Sequence, residues 1–208
     1  MVFNNLLGVI LMKRLKHNFY QNDAVAAAEK LVGKLIVREI NDKKIIVRIV
    51  ETEAYAGPDD KASHAYNNRK TERTEVMFKN GGHVYVFLIY GIHHCLNIVT
   101  GKRGIPSAVL IRAVEPVLGI DLIRENRGVK SNKEEDLTNG PGKLAQALKI
   151  DLSFNGYNLI TGSKLYILDN ESNNLKIKSS ERINIDYAEE YKNKKWRFYL
   201  ADSKFLSK

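Results

Sequence analysis

Lys44-Ile45-Ile46-Val47-Arg48-Ile49-Val50-Glu51-Thr52-Glu53-Ala54-Tyr55-Ala56-Gly57-Pro58 is an apolar, β-branched run that ends in two acids, an aromatic ring and a Gly-Pro breaker. Val and Ile fit a pleated surface and Gly-Pro interrupts one, so the stretch predicts a strand with carboxylates at its end. Alternate strand residues share a face, which puts Glu51, Glu53 and Tyr55 on one side and Thr52 and Ala54 on the other. His64 follows after a short loop. Acid, ring and imidazole this close in sequence suit a site, and a sheet edge carrying solvated acids accounts for the same residues about equally well.

Upstream, Lys34-Leu35-Ile36-Val37-Arg38-Glu39-Ile40 reads as a second strand, and the Asn41-Asp42 turn makes the two an antiparallel hairpin. Before it, Asp23 to Gly33 reads as a helix, with Asn22 or Asp23 capping its start and Gly33 ending it in a left-handed turn. Downstream, residues 61–80 are polar and basic without a period and are expected to form loop or short helix. Gly81-Gly82 then introduces two strands, His83 to Ile89 and Ile92 to Val99, joined at Tyr90-Gly91. A large ring at a hairpin tip lies where burial cannot reward it, and in an enzyme acting on nucleic acid such a ring can enter the base stack.

Ser107 to Val114 is a further strand, with Arg112 set in apolar surroundings. An unpaired buried charge is costly, so Arg112 must snorkel, pair with a structural acid or face Glu53. Glu115-Pro116 is expected to start a helix that runs to about Asn126. Asn139-Gly140-Pro141-Gly142-Lys143 opens another helix, through Leu148, and its backbone amides could seat a phosphate, although no Ser or Thr follows Lys143 as in a Walker loop. Short strands are expected at 165–168 and 175–178.

The chain has 208 residues, 44% of them hydrophobic, enough for a substantial core, and no linker, repeat or low-complexity tract divides it. Lys and Arg number 33 against 24 acids, a formal charge of +9 that favours a polyanionic partner such as nucleic acid or anionic lipid. Cys95 is the sole cysteine, which excludes an intramolecular disulfide and a cysteine-based zinc cluster and fits a reducing compartment. The apolar Leu6 to Met12 is too short to span a bilayer, and its basic residues follow rather than precede it, the reverse of a secretory signal. The expectation is a soluble protein without a membrane partner, cytoplasmic, or nuclear in a eukaryote.

Other chemistries compete for the same residues. Glu51, Glu53, Asp59, Asp60 and His64 could converge on Mg²⁺ in a nuclease, since hard oxygen ligands suit that ion. His93 and His94 are poor joint zinc ligands, because adjacent strand residues face opposite ways. A non-enzymatic DNA-binding module explains the charge and Tyr90 but leaves Glu53 and Arg112 idle.

Several separated motifs, in order, carry a family resemblance. Glu51-Thr52-Glu53-Ala54-Tyr55 with Gly57-Pro58 and His64 comes first, and Tyr85-Val86-Phe87-Leu88-Ile89-Tyr90-Gly91 with Asn97 second. Leu110-Ile111-Arg112-Ala113-Val114-Glu115-Pro116, Gly140-Pro141-Gly142-Lys143-Leu144 and Trp196-Arg197-Phe198-Tyr199 follow. From about Phe19 to about Leu200 the chain resembles the alkyladenine (3-methyladenine) DNA glycosylases. The resemblance implies one α+β domain over residues 13–208, with a curved, mainly antiparallel sheet flanked by helices and a protruding β-hairpin; residues 1–12 are then an N-terminal extension free to be disordered. It implies a monomeric, monofunctional hydrolase, needing no metal or cofactor, that flips a damaged purine out of double-stranded DNA and cleaves its N-glycosidic bond. By this similarity Glu53 holds and deprotonates the water with help from Arg112; Tyr55, His64 and Phe87 line the base pocket; Tyr90 fills the gap in the duplex; and Asn97 screens the base edge. Members often carry tyrosine where this chain has Phe87, a change that keeps the stacking face and removes a hydroxyl.

Overall fold

The computed structural model describes residues 12–129, 131, 133–170 and 174–207. Except for Met12, the expected N-terminal extension lies outside the described residues. After a single helical turn, α1 (His17–Tyr20), comes α2 (Ala24–Leu31), whose start is capped by Asp23 accepting a hydrogen bond from the Ala26 amide at 2.9 Å. Ala24, Ala27, Ala28 and Leu31 are buried, and the small side chains let α2 approach the sheet closely enough for Thr52 Oγ1 to donate to the Ala28 carbonyl at 2.8 Å. The helix stops at Leu31 with Val32 already extended, and Gly33 takes the left-handed conformation, φ +89°, two residues beyond it.

Eight strands form one sheet: β1 (Leu35–Ile40), β2 (Lys43–Tyr55), β3 (Val84–Ile89), β4 (His93–Val99), β5 (Ala108–Leu118), β6 (Leu165–Leu168), β7 (Ile177–Ser180) and β8 (Arg197–Leu200). Its order is β3-β4-β5-β2-β1-β6, with β8 joined to β2 and β7, every pair antiparallel. The result is a single α+β domain with a curved, half-barrel sheet. β1 and β2 meet through Asn41 and Asp42, both at positive φ, the geometry a two-residue hairpin needs.

The placement of β2 excludes one reading of its acids. β1 accompanies β2 only as far as Arg48, and β8 then takes over the same edge, pairing Glu51 with Tyr199, Thr52 with Phe198 and Glu53 with Arg197. β5 covers the opposite edge throughout. The carboxylates are therefore interior: Glu51 and Glu53 are both 0% exposed, so this is no sheet edge with solvated acids.

One expected helix start is displaced. Glu115 and Pro116 continue β5, which runs to Leu118, and the next helix, α3 (Ile120–Arg127), begins only after Gly119. Pro116 lies at a register shift between Ile46 and Val47, where a ladder tolerates the missing amide. Gly119 makes the corner at φ +82°, and a Cβ there would stand 2.7 Å from the Lys44 carbonyl oxygen. α4 (Pro141–Ala147) starts at its proline, and Gly142 presses against β4, where a Cβ would meet His93 at 3.1 Å. Residues 61–80 carry two short 3-10 turns, Tyr66–Asn68 and Glu75–Phe78, and the later of the expected C-terminal strands is Ile177–Ser180 rather than 175–178.

Candidate active site

Three arginines answer the buried acids where β2, β5 and β8 meet. Arg112, on β5, is 7% exposed and donates from Nε to Glu51 Oε1 at 3.3 Å and from Nη1 to Glu53 Oε2 at 3.2 Å. Glu51 also receives Arg197 Nε at 2.6 Å, the Ser207 amide at 2.6 Å and the Ser207 hydroxyl at 2.9 Å, so its bonding capacity is consumed by structure. Glu53 takes the Tyr55 hydroxyl on Oε2 at 3.0 Å and the Ile183 amide on Oε1 at 2.7 Å. Burial alone would lower the Arg112 guanidinium, but the facing charges of Glu53 and Glu51 outweigh it and hold the group above its ordinary value. The Tyr55 phenol is raised well above the ordinary range by burial and then by the Glu53 charge, which keeps it a donor.

Asp60 and Arg182 form a second pair, both side chains 0% exposed, with Nη1 to Oδ2 at 2.6 Å and Nη2 to Oδ1 at 2.9 Å. Arg182 Nη1 also holds the Ala54 carbonyl at 2.8 Å. Of the acids that could have gathered around Mg²⁺, Glu51, Glu53 and Asp60 are thus each bound to arginine, and among the described residues no group of three His, Cys, Asp or Glu is arranged to hold a metal.

In front of this layer opens a cavity of about 670 Å³, with Tyr55, His64, Arg73, Tyr85, Phe87, Asn97, Arg112 and Ile183 in its wall and the Gly140–Lys143 segment on its rim. Glu53 lies one layer behind that wall; the residues that both touch it and border the cavity are Arg112, Tyr55 and Ile183. The opposite wall is aromatic. His64 packs edge-on to Phe87 with ring centroids 4.5 Å apart, and Tyr85 lies 5.5 Å from Phe87. Arg73 sits over Phe87 at 4.9 Å with Nη2 3.2 Å from His64 Nε2. The same Arg73 nitrogen is 3.5 Å from Nδ1, and Nδ1 shares a hydrogen bond with the Tyr85 hydroxyl at 2.9 Å. Burial and the Arg73 charge push His64 down to about 4, so the imidazole is neutral at physiological pH and is no proton donor in its cationic form. Tyr85 contacts His64 from the same strand that carries Phe87.

Asn97 is 3% exposed, and its Nδ2 donates to the Tyr85 and Cys95 carbonyls, both at 3.2 Å, which fixes the amide plane beside the cavity. Tyr90 stands apart from the pocket floor, at the tip of the β3–β4 hairpin, 82% exposed and at φ +52°. The structure thus brings Arg112, Tyr55, His64, Phe87 and Asn97 around one cavity, which Tyr90 also borders, with Glu53 behind its wall in contact with Arg112 and Tyr55. Sequence reasoning did not single out Arg182 or Ser207, and it gave Tyr85, Arg73 and Arg197 no role in the pocket. Tyr85 shares a strand face with Phe87 by simple alternation, whereas Arg73, Arg182, Arg197 and Ser207 come from four other segments that linear spacing does not link.

An interior acid–arginine layer thus lies behind an aromatic cavity, with an exposed ring at the cavity's border, on a protein of formal charge +9. The chain belongs to the methylpurine-DNA glycosylase family, whose sequence model matches residues 18–204. It is 53% identical over 195 residues to a protein of Natranaerobius thermophilus, covering 93% of this chain and 98% of that one. It is 51% identical over 203 residues to one of Clostridium novyi, covering 95% and 100%, and 50% identical over 202 residues to one of Desulfitobacterium hafniense, covering 94% and 99%. All three carry the provisional name 3-methyladenine DNA glycosylase.

Proposed function

We propose that this protein is a monofunctional DNA glycosylase that takes an alkylated or deaminated purine out of duplex DNA and hydrolyses its N-glycosidic bond, leaving an abasic site. The observation that carries the reading is the interior Glu53, held by Arg112, Tyr55 and Ile183 directly behind an aromatic cavity. A base inside a duplex hides its glycosidic carbon, so the nucleotide must leave the stack, at a cost of a few kcal/mol that is smallest for damaged or mispaired bases. Tyr90 fills the space left behind, and Tyr55, His64 and Phe87 enclose the extruded base. Cleavage develops positive charge on the sugar; the Glu53 carboxylate stabilises it and accepts the proton of a water admitted at the wall between Arg112, Tyr55 and Ile183. An alkylated purine such as 3-methyladenine already carries positive charge and departs readily, so a neutral His64 is compatible with that step. Asn97, its amide fixed by strand carbonyls, excludes guanine through the amino group that adenine and hypoxanthine lack at that edge. The protein works as a monomer on damaged double-stranded DNA. Among the described residues no helix is long and apolar enough to cross a membrane.

The test uses labelled duplexes bearing hypoxanthine, 1,N6-ethenoadenine or 3-methyladenine, followed by alkali to break the abasic strand. Alkali-dependent, EDTA-insensitive cleavage at the lesion is expected, and borohydride should trap no adduct. Cleavage no greater than on undamaged duplex overturns the proposal, and EDTA-sensitive cleavage points to the nuclease instead.

A further inference from the structure

The Asp60–Arg182 pair does more than tie two loops together. The Arg182 guanidinium carbon lies 5.0 Å from the Tyr55 ring centroid and 5.1 Å from that of Trp196, a cation held between two aromatic faces. Tyr55 borders the cavity, whereas Arg182 does not, so the guanidinium lies behind Tyr55 as seen from the cavity. A base that stacks on Tyr55 from the cavity would share that ring with Arg182 across its thickness. A bare cation there would draw π density away from the open face and repel a second cation placed on it. Asp60, with an oxygen on each terminal nitrogen at 2.6 and 2.9 Å, cancels that charge without exposing either group.

The geometry points to Asp60 and Arg182 as a charge-balanced backing of Tyr55 that sets how strongly the cavity prefers a positively charged, N-alkylated purine over a neutral one. This rests on the reading of the cavity as a damaged-purine pocket. Two further observations agree with a backing tuned for charge rather than a simple structural tie. Arg182 Nε is buried without a hydrogen-bond partner, an arrangement that favours ring stacking over complete hydrogen bonding. Asp60 also accepts the amides of Ala56 and Ala62 at 3.1 and 3.0 Å, so its carboxylate is anchored independently of Arg182. Asp60 and Arg182 are positioning residues here, acting on the base only through Tyr55.

The test measures single-turnover excision by the full chain from duplexes carrying 3-methyladenine, which is cationic in DNA, and hypoxanthine, which is neutral. Asp60→Asn leaves the cation uncompensated and is expected to lower the cationic-to-neutral rate ratio on the order of tenfold, by Coulomb repulsion across the ring. Arg182→Gln leaves the carboxylate and is expected to raise the ratio. The double variant Asp60→Asn with Arg182→Met removes both charges and should return the ratio to near wild type. Both single variants will lose stability, so rates are compared below each variant's melting transition. If Asp60→Asn does not fold, the opposite sign expected of Arg182→Gln and the neutral double variant still decide the matter. Equal losses on both lesions in every folded variant overturn the inference and leave the pair structural. Release of neither base by the wild type overturns the glycosylase reading itself, a different result from an unchanged ratio.

Discussion

The end of β2 and the tip of the β3–β4 hairpin break opposite rules. At the end of β2, Glu51, Glu53 and Asp60 are wholly buried, although charged groups normally stay in water. At the hairpin tip Leu88, Ile89, Tyr90 and Ile92 are exposed, Tyr90 and Ile92 at 82% and 71%, although apolar groups normally leave water. The buried acids are tolerated because arginines and backbone amides saturate them, so the region is rigid and its disruption is costly. The exposed tip is tolerated because little packs on it, so it can change at small cost to the fold. The proposed glycosylase reaction would use both: a preorganised charge layer and a hydrophobic wedge kept out of the protein's own core.

Within the buried layer, Glu53 is where a substitution should cost most activity. Glu53→Gln keeps the shape but cannot accept a proton, and excision is expected to fall about 10²–10⁴-fold while damaged-duplex affinity is retained. Single-turnover rates and a binding titration check this; near wild-type turnover would move the role of base away from Glu53. Arg112→Ala tests the cost of the same layer to the fold. It leaves two interior carboxylates short of their shared cation, which costs about 3–5 kcal/mol, or roughly 10 °C in the melting temperature of a chain this size. A melting temperature within a degree or two of wild type would show that Arg197, Ser207 and Ile183 suffice without it.

His64 sharpens the comparison through pH. Its folded value is about 4 against an ordinary 6.5. Between those values the unfolded chain binds the proton and the folded chain does not, so the stability this neutral ring supports is complete above pH 6.5 and is lost as pH falls toward 4. His64→Gln should flatten that segment of the stability–pH profile by about 2 kcal/mol relative to wild type, after allowance for the ring's partial exposure. Parallel pH profiles for the two proteins would contradict it.

The elements were legible where local chemistry sufficed. Asn41-Asp42 dictates a tight turn, Asp23 caps α2, and the β-branched runs at 35–40 and 43–50 pair as a hairpin because nothing distant competes. Pro116 misled because its helix-starting preference is local, whereas a register shift against Val47 and the corner at Gly119 depend on a partner strand. The site divides the same way. Glu53, Tyr55, Arg112 and the hairpin residues stand out as charges and rings in apolar runs. Asp60–Arg182 spans 122 residues and Glu51–Ser207 spans 156, and no periodicity links such positions before the chain has folded.

Tyr90 carries the smallest effect on stability and the most specific one on function. A bulky side chain at φ +52° is strained, and such strain persists where a turn must present a particular group. Tyr90→Gly relieves the backbone and removes a ring that packs on little, so the melting temperature should stay level or rise, the gain being at most ~1 kcal/mol. Excision should nevertheless fall, and roughly tenfold more from a paired lesion than from one in a bulge or mismatch, where the base leaves the stack with less help. Stability and activity moving apart in this way would show a tip shaped for DNA at the expense of the fold. A lowered melting temperature with equal activity loss in both contexts would instead make Tyr90 part of the hairpin's own architecture.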